Sequence, residues 1–100
     1  MNEPITVKID PILAELVPKF LERCKQTVVE FHAAARSGDL AVARRIGHAL
    51  LGTASSFGFH EMAAIGREID SAARNGDLEA LKGLAERLDV HVACVRPVFE

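Results

Sequence analysis

Residues 38–58 read GDLAVARRIGHALLGTASSFG. Small and apolar residues recur there at steps of three and four: Ala43, Ile46, Gly47, Leu50, Ala54 and Phe57. That spacing places them on one face of a helix from about Leu40 to Phe57. Asp39 stands at the N-cap, where its carboxylate can accept a bond from a free N–H of the first turn. Gly38 before it suits the left-handed position that ends a helix, and Gly58 after it ends or loosens this one. Upstream, a helix from about Pro18 to Arg36 carries Phe20, Cys24, Thr27, Val28, Phe31 and Ala35 on its stripe, with Glu22, Gln26, Val29 and Ala33 facing away. Downstream, a helix from about Glu61 to Arg74 buries Met62, Ile65, Gly66, Ile69, Ala72 and Ala73. Asn75-Gly76-Asp77 then repeats the stop-and-start signal, and a last helix turns Leu78, Leu81, Leu84, Ala85, Leu88 and Val92 inward, with Pro97 as its limit. Asp10-Pro11 opens a short extra helix to Leu16, because proline is favoured at the first helical position. Pro18 disfavours helical geometry at Val17, so the chain is expected to bend there and restart.

Four main helices joined by short links predict an all-α fold, an antiparallel up-down-up-down four-helix bundle with a short extra N-terminal helix capping one end. The 100 residues form a single domain, with its core at about 10–93. Residues 94–100 read as a tail, with weak β-propensity over Val95 to Phe99. Ala34-Ala35-Arg36-Ser37-Gly38-Asp39-Leu40 resembles Ala72-Ala73-Arg74-Asn75-Gly76-Asp77-Leu78, but the likeness fades after the first turn of each following helix. Shared punctuation between helices explains it better than a helical-hairpin repeat.

Composition removes several function classes. With 49% hydrophobic residues there is material for a core, and 26% charged residues at a net charge of −2 argue against disorder. A nucleic-acid binder usually carries a basic excess, which is absent. Trp and Tyr are absent as well, so aromatic stacking platforms for single strands are not expected. Two cysteines make no disulfide framework. Met1-Asn2-Glu3-Pro4 has no basic stretch leading into an apolar segment, so no signal peptide is read there. No apolar run approaches the roughly 18 residues of a membrane span. A soluble, cytoplasmic domain is expected.

His48 is the residue that does not belong to the core. At roughly 100° per residue it falls roughly 160° from Leu50 and faces solvent, with Ala41, Arg44, Arg45, Gly52 and Ser55. An exposed histidine is ordinary by itself, but its neighbours point further. Gly52 lies one turn on; a glycine in an exposed helix costs about 1 kcal/mol relative to alanine, and its use there is to clear the surface for a close-approaching partner. Arg44 and Arg45 lie within side-chain reach and can offset an anionic group on the imidazole. A solvated basic face explains either arginine equally well. Ala41, Leu51 and Ser55 add small or apolar surroundings of the kind that suits docking of a protein.

The run His48-Ala49-Leu50-Leu51-Gly52-Thr53-Ala54-Ser55-Ser56-Phe57-Gly58 resembles the signature of histidine phosphotransfer (Hpt) domains, broadly His-x-Leu-Lys-Gly-x-Ser/Ala-x-x-aliphatic/aromatic-Gly. His48, Leu50, Gly52, Ala54, Phe57 and Gly58 match it. The likeness extends to Asp10-Pro11, Val17-Pro18-Lys19-Phe20-Leu21, Gly38-Asp39-Leu40 and Phe57-Gly58-Phe59, and covers about residues 5 to 93. The resemblance implies that His48 accepts a phosphoryl group from an aspartyl phosphate on a receiver domain and passes it to another receiver. It implies receiver domains of response regulators and a hybrid sensor kinase as partners, and a chain that acts as a monomer. It also implies a carrier without kinase activity or a nucleotide site, and no glycine-rich phosphate loop or Walker pattern occurs in the chain. No cofactor or metal is expected of the chain itself, since the receiver would contribute the aspartate and a divalent cation. One departure stands out. The family usually has lysine three residues after the histidine, and Leu51 occupies that position. Arg44 or Arg45 can substitute from the preceding turn; slow transfer, a restricted partner, or a domain that docks without transfer are the other readings.

The remaining candidates are weaker. His32, His60 and His91 lack a glycine at the matching position. His32 reads as a boundary residue. His60 begins a helix, where positive charge is disfavoured, and His91 ends one, where charge is better tolerated. The histidine and cysteine spacings match no zinc pattern. Cys24 lies on the core stripe and is expected to be inert, while the exposure of Cys94 is not legible. Ser55 and Ser56 lie near His48, but one helix cannot supply the pocket and oxyanion site of a hydrolase. Two functions from different classes stay open: a phosphohistidine carrier, and a non-catalytic helical docking module, either a degenerate Hpt domain or a hairpin-repeat fragment.

Overall fold

The computed structural model describes residues 3–100. Met1 and Asn2, which opened the stretch read for a signal peptide, lie outside the described residues. Four helices carry the fold: α1 (Val17–Ser37), α2 (Leu40–Phe57), α3 (His60–Arg74) and α4 (Leu78–Cys94). Each packs on the next and α4 returns to α1, closing an antiparallel four-helix bundle. Among the described residues, no helix is long and apolar enough to cross a membrane.

The stripes read from periodicity form the core. Phe31, Met62, Ile65, Ile69, Leu81 and Leu88 are almost wholly buried. The punctuation works as expected. The Asp39 and Asp77 carboxylates each accept a bond of 3.1 Å from the backbone N–H of the third helical residue, Val42 and Ala80. The two similar turns also meet at one end of the bundle. A Cβ on Gly38 would lie 3.8 Å from the Leu78 methyls, and one on Gly76 would lie 3.9 Å from Leu40 Cδ1. Leu78, expected inward, therefore covers a turn and stays 40% exposed.

Two expectations at the termini are corrected. The expected helix at Pro11–Leu16 shrinks to a 3-10 turn over Pro11–Leu13, capped by Asp10, whose carboxylate accepts from the Ile12 N–H at 3.0 Å. The longer helix begins at Val17 rather than beyond a bend, with Pro18 tolerated in its first turn. The expected tail is a strand. β1 (Ile5–Ile9) pairs in parallel with β2 (Val95–Phe99), Ile5 opposite Val95 and Ile9 opposite Phe99. Ile5, Val7 and Ile9 alternate with Thr6 and Lys8, the period of a half-buried strand. An isolated two-stranded sheet is marginal. This one is supported because Ile9 and Val95 join the bundle core.

His91 is the third correction. It is 4% exposed, not a tolerated surface charge. Its Nδ1 lies 3.8 Å from Glu61 Oε2, and its buried Nε2 has no hydrogen-bond partner among the described residues. Burial pushes its pKa down; the Glu61 carboxylate opposes that shift and Arg87 adds to it. Cys94 is buried too, and burial raises the Cys24 thiol to about 11 beside Met62, consistent with an inert thiol.

The closest helix approach lies between α2 and α3. A Cβ on Gly47 would stand 2.6 Å from the Asp70 backbone nitrogen and 2.8 Å from the Gly66 carbonyl oxygen. A Cβ on Gly66 would stand 2.8 Å from the Leu51 nitrogen and 2.9 Å from the Gly47 oxygen. The obstructing atoms are backbone and cannot swing aside, so both glycines are required by packing.

Two predictions follow from this packing. Gly47→Ala forces the helices apart and lowers stability by about 2 kcal/mol, whereas Gly52→Ala, whose Cβ would meet nothing within 4 Å, raises it by up to about 1 kcal/mol; urea unfolding of both variants checks the opposite signs. His91 gains a proton more readily unfolded than folded. Stability therefore falls as pH drops through about 6.5 toward the lower folded pKa. Thermal melts between pH 7 and 5 should show that loss, and it should be smaller in His91→Leu.

Candidate functional site

The site is assembled on the outer face of α2. Gly47 and Leu50 on either side of His48 are buried, so the helix is anchored while the His48 ring projects outward and is exposed. Arg44, Arg45, Gly52 and Ser55 are exposed with it, as is Ala41. Of the other histidines, His32 is half-buried with Nε2 3.8 Å from Asp89, His60 is exposed as the first residue of α3, and His91 is enclosed. His48 alone is both exposed and held in the middle of a helix.

On the α3 side, a shallow concavity is lined by Ala41, Arg44, Arg45, His48 and Arg74. Arg74 comes from the last turn of α3. The Asp70 carboxylate, 14% exposed, lies between the two helices. Arg74 Nε donates to Asp70 Oδ1 at 3.3 Å, and Arg74 Nη2 lies 3.2 Å from Oδ2. Arg44 Nε lies 3.7 Å from the same Oδ1. Arg44 is thus tied into a bridge between helices, whereas Arg45 has no ion pair among the described residues. Three guanidiniums against one carboxylate leave this patch positive.

On the α1 side lies a groove that local sequence did not reveal. Phe20 and Phe57 stack along it with ring centroids 4.8 Å apart, Leu16 and Ala49 extend its apolar lining, and Lys19 and Arg23 stand along the α1 wall. Arg45 borders both the groove and the concavity.

Leu51 departs from the expected apolar surface. It is half-buried and packs against the core, because its backbone lies at the Gly66 contact. At Gly52 the surface is open: nothing lies within 4 Å of where its Cβ would be. Arg74 and Asp70 were missed from the sequence. They lie on a different helix from His48, and no local spacing connects them. Lys19 and Arg23 show an (i, i+4) pair, but only the packing of α1 on α2 brings it to this face.

The model of the Hpt domain family matches residues 15–96. No curated protein and no solved structure matched the chain. Hpt domains serve histidine phosphotransfer in phosphorelays and are carriers, not kinases. With the match running through all four helices and the exposed histidine of α2, the chain belongs to the Hpt domain family.

Proposed function

We propose that His48 is the phosphorylated residue of a phosphorelay carrier. It accepts a phosphoryl group from the aspartyl phosphate of one receiver domain and returns it to the aspartate of another. In the first step the bond between phosphorus and the aspartate oxygen breaks, and the carboxylate leaves. A bond between phosphorus and an imidazole nitrogen forms, and the ring gives up its proton. The second step is the reverse. An imidazole nitrogen can act as a nucleophile, so the protein has only to hold the ring rigid and accessible. The receiver brings the aspartate and its divalent cation.

The observation that carries this reading is the exposure of His48 at mid-helix between a basic concavity and an apolar groove. The concavity suits the charge of the transferred group, and the groove suits an apolar element of the docked receiver. Leu51 in the place of the family's lysine favours a second reading, in which the domain docks without transferring.

Phosphorylation by a candidate phosphorylated receiver separates the two. The carrier reading expects an acid-labile, base-stable phosphate that is lost in His48→Gln. Binding without transfer from every cognate receiver would favour docking alone. His48→Gln should leave thermal stability nearly unchanged, within about 0.5 kcal/mol, because the side chain is outside the core. A variant that unfolds instead would contradict the outward placement. Gly52→Gln places a long side chain beside His48 and should slow transfer by at least about tenfold, equivalent to about 1.4 kcal/mol, without loss of stability. Unchanged transfer kinetics in that variant would remove the steric role.

A further inference from the structure

We infer that Arg74, held in place by Asp70, supplies the cation for the phosphoryl group on His48 and so takes over the work of the lysine that Leu51 replaces. This inference rests on the phosphocarrier reading of His48 and specifies its chemistry.

Leu51 is half-buried against α3 and carries no charge. The positive groups around His48 must therefore come from elsewhere, and the concavity offers Arg44, Arg45 and Arg74. Their circumstances differ. Arg45 also borders the apolar groove and no carboxylate orients it, so it is placed to meet the docked partner. Arg44 is only loosely associated with Asp70, at 3.7 Å. Arg74 is held side-on, its Nε and Nη2 against the two carboxylate oxygens at 3.3 and 3.2 Å. A guanidinium has five N–H donors in a rigid plane, and this grip leaves the opposite edge of the fork free. That edge matches the geometry of phosphate oxygens. Arg74 also lies in the last turn of α3, where a cation is favoured by the helix dipole.

Asp70 is the positioning residue. It is largely covered, and its backbone nitrogen lies directly against Gly47, the residue before His48. The close contact of the two helices therefore sets the distance between the arginine clamp and the histidine. When the phosphoryl group arrives, its oxygens compete with Asp70 for Arg44 and share Arg74 with it.

Because the cognate receiver is not identified, the test uses phosphoramidate as the donor. Its phosphorus–nitrogen bond breaks, ammonia leaves, and the bond to the His48 imidazole forms. The rate of His48 labelling is followed in the full chain, with folding of each variant checked by its melting curve. Arg74→Gln should slow labelling by about tenfold, and Arg74→Lys should recover part of the loss. Asp70→Asn makes the face more positive by one charge yet should also slow labelling, because the clamp is released. Faster labelling in Asp70→Asn would overturn the positioning role. Leu51→Lys in the Arg74→Gln background should restore labelling, since the lysine stem can keep the apolar contact while its ammonium reaches solvent. Absence of rescue would overturn the claim that Arg74 replaces that lysine. In the wild type, the Arg74 Nε–H resonance should move on phosphorylation, which a purely structural arginine would not show. Wild type labelled on His48 with Arg74→Gln equally fast would sink this inference alone. No labelling of His48 in the wild type would remove the carrier reading and this inference with it.

Discussion

The contact between Gly47 and Gly66 governs the rest of the molecule. At this crossing the backbones of α2 and α3 come so close that a methyl group on either glycine would meet main-chain atoms at less than 3.0 Å. Close packing at backbone distance makes the pair of helices stiff, because neither can slide or rotate without a clash. The histidine follows Gly47 directly in sequence, so it leaves α2 at the point where the helix is held most firmly. Rigidity and accessibility, which tend to oppose each other, are reconciled by placing the buried glycine and the exposed histidine in successive positions, roughly 100° apart around the helix.

The same contact organises the charge of the site. Asp70 sits against Gly47, and its carboxylate gathers Arg74 and Arg44 from two helices. An exposed ion pair contributes little to stability, and the guanidiniums here are more than half exposed. The value of the cluster lies in orientation instead. A covered carboxylate restricts a long side chain that would otherwise sample many rotamers. Leu51, by contrast, adjoins the glycine crossing and adds its apolar side chain to the core without contributing charge.

The opposite end of the bundle shows a different economy. The strands β1 and β2 come from the two ends of the chain and are stabilised by burying Ile9 and Val95 rather than by their own ladder. Pro97 lies opposite Val7 without an N–H to donate, which an edge strand tolerates. Close by in sequence, His91 is enclosed with one ring nitrogen unpartnered among the described residues, and burial disfavours its charged form.

The four helices, their caps and the outward phase of His48 were legible in the sequence because they depend on local chemistry: a period of 3.6, a carboxylate within reach of its own helix N-terminus, glycine in a left-handed turn. Gly52 was legible for the same reason, as an exposed break in that pattern. The termini were misread because parallel pairing joins residues about 90 positions apart, and no local signal announces a partner that distant. Leu51 was misread because wheel position says which way a side chain points but not how closely the neighbouring helix covers it, and His91 because its place near a helix end says nothing of what packs over it. Arg74, Asp70 and the Lys19–Arg23 wall of the groove come to the outer face of α2 only through packing. Local periodicity thus determined the helices, the exposed histidine and its neighbours on the same helix; the tertiary structure alone decided what α1 and α3 bring beside it, because the distance and register between helices are set by contacts such as Gly47 on Gly66, between residues remote in the chain.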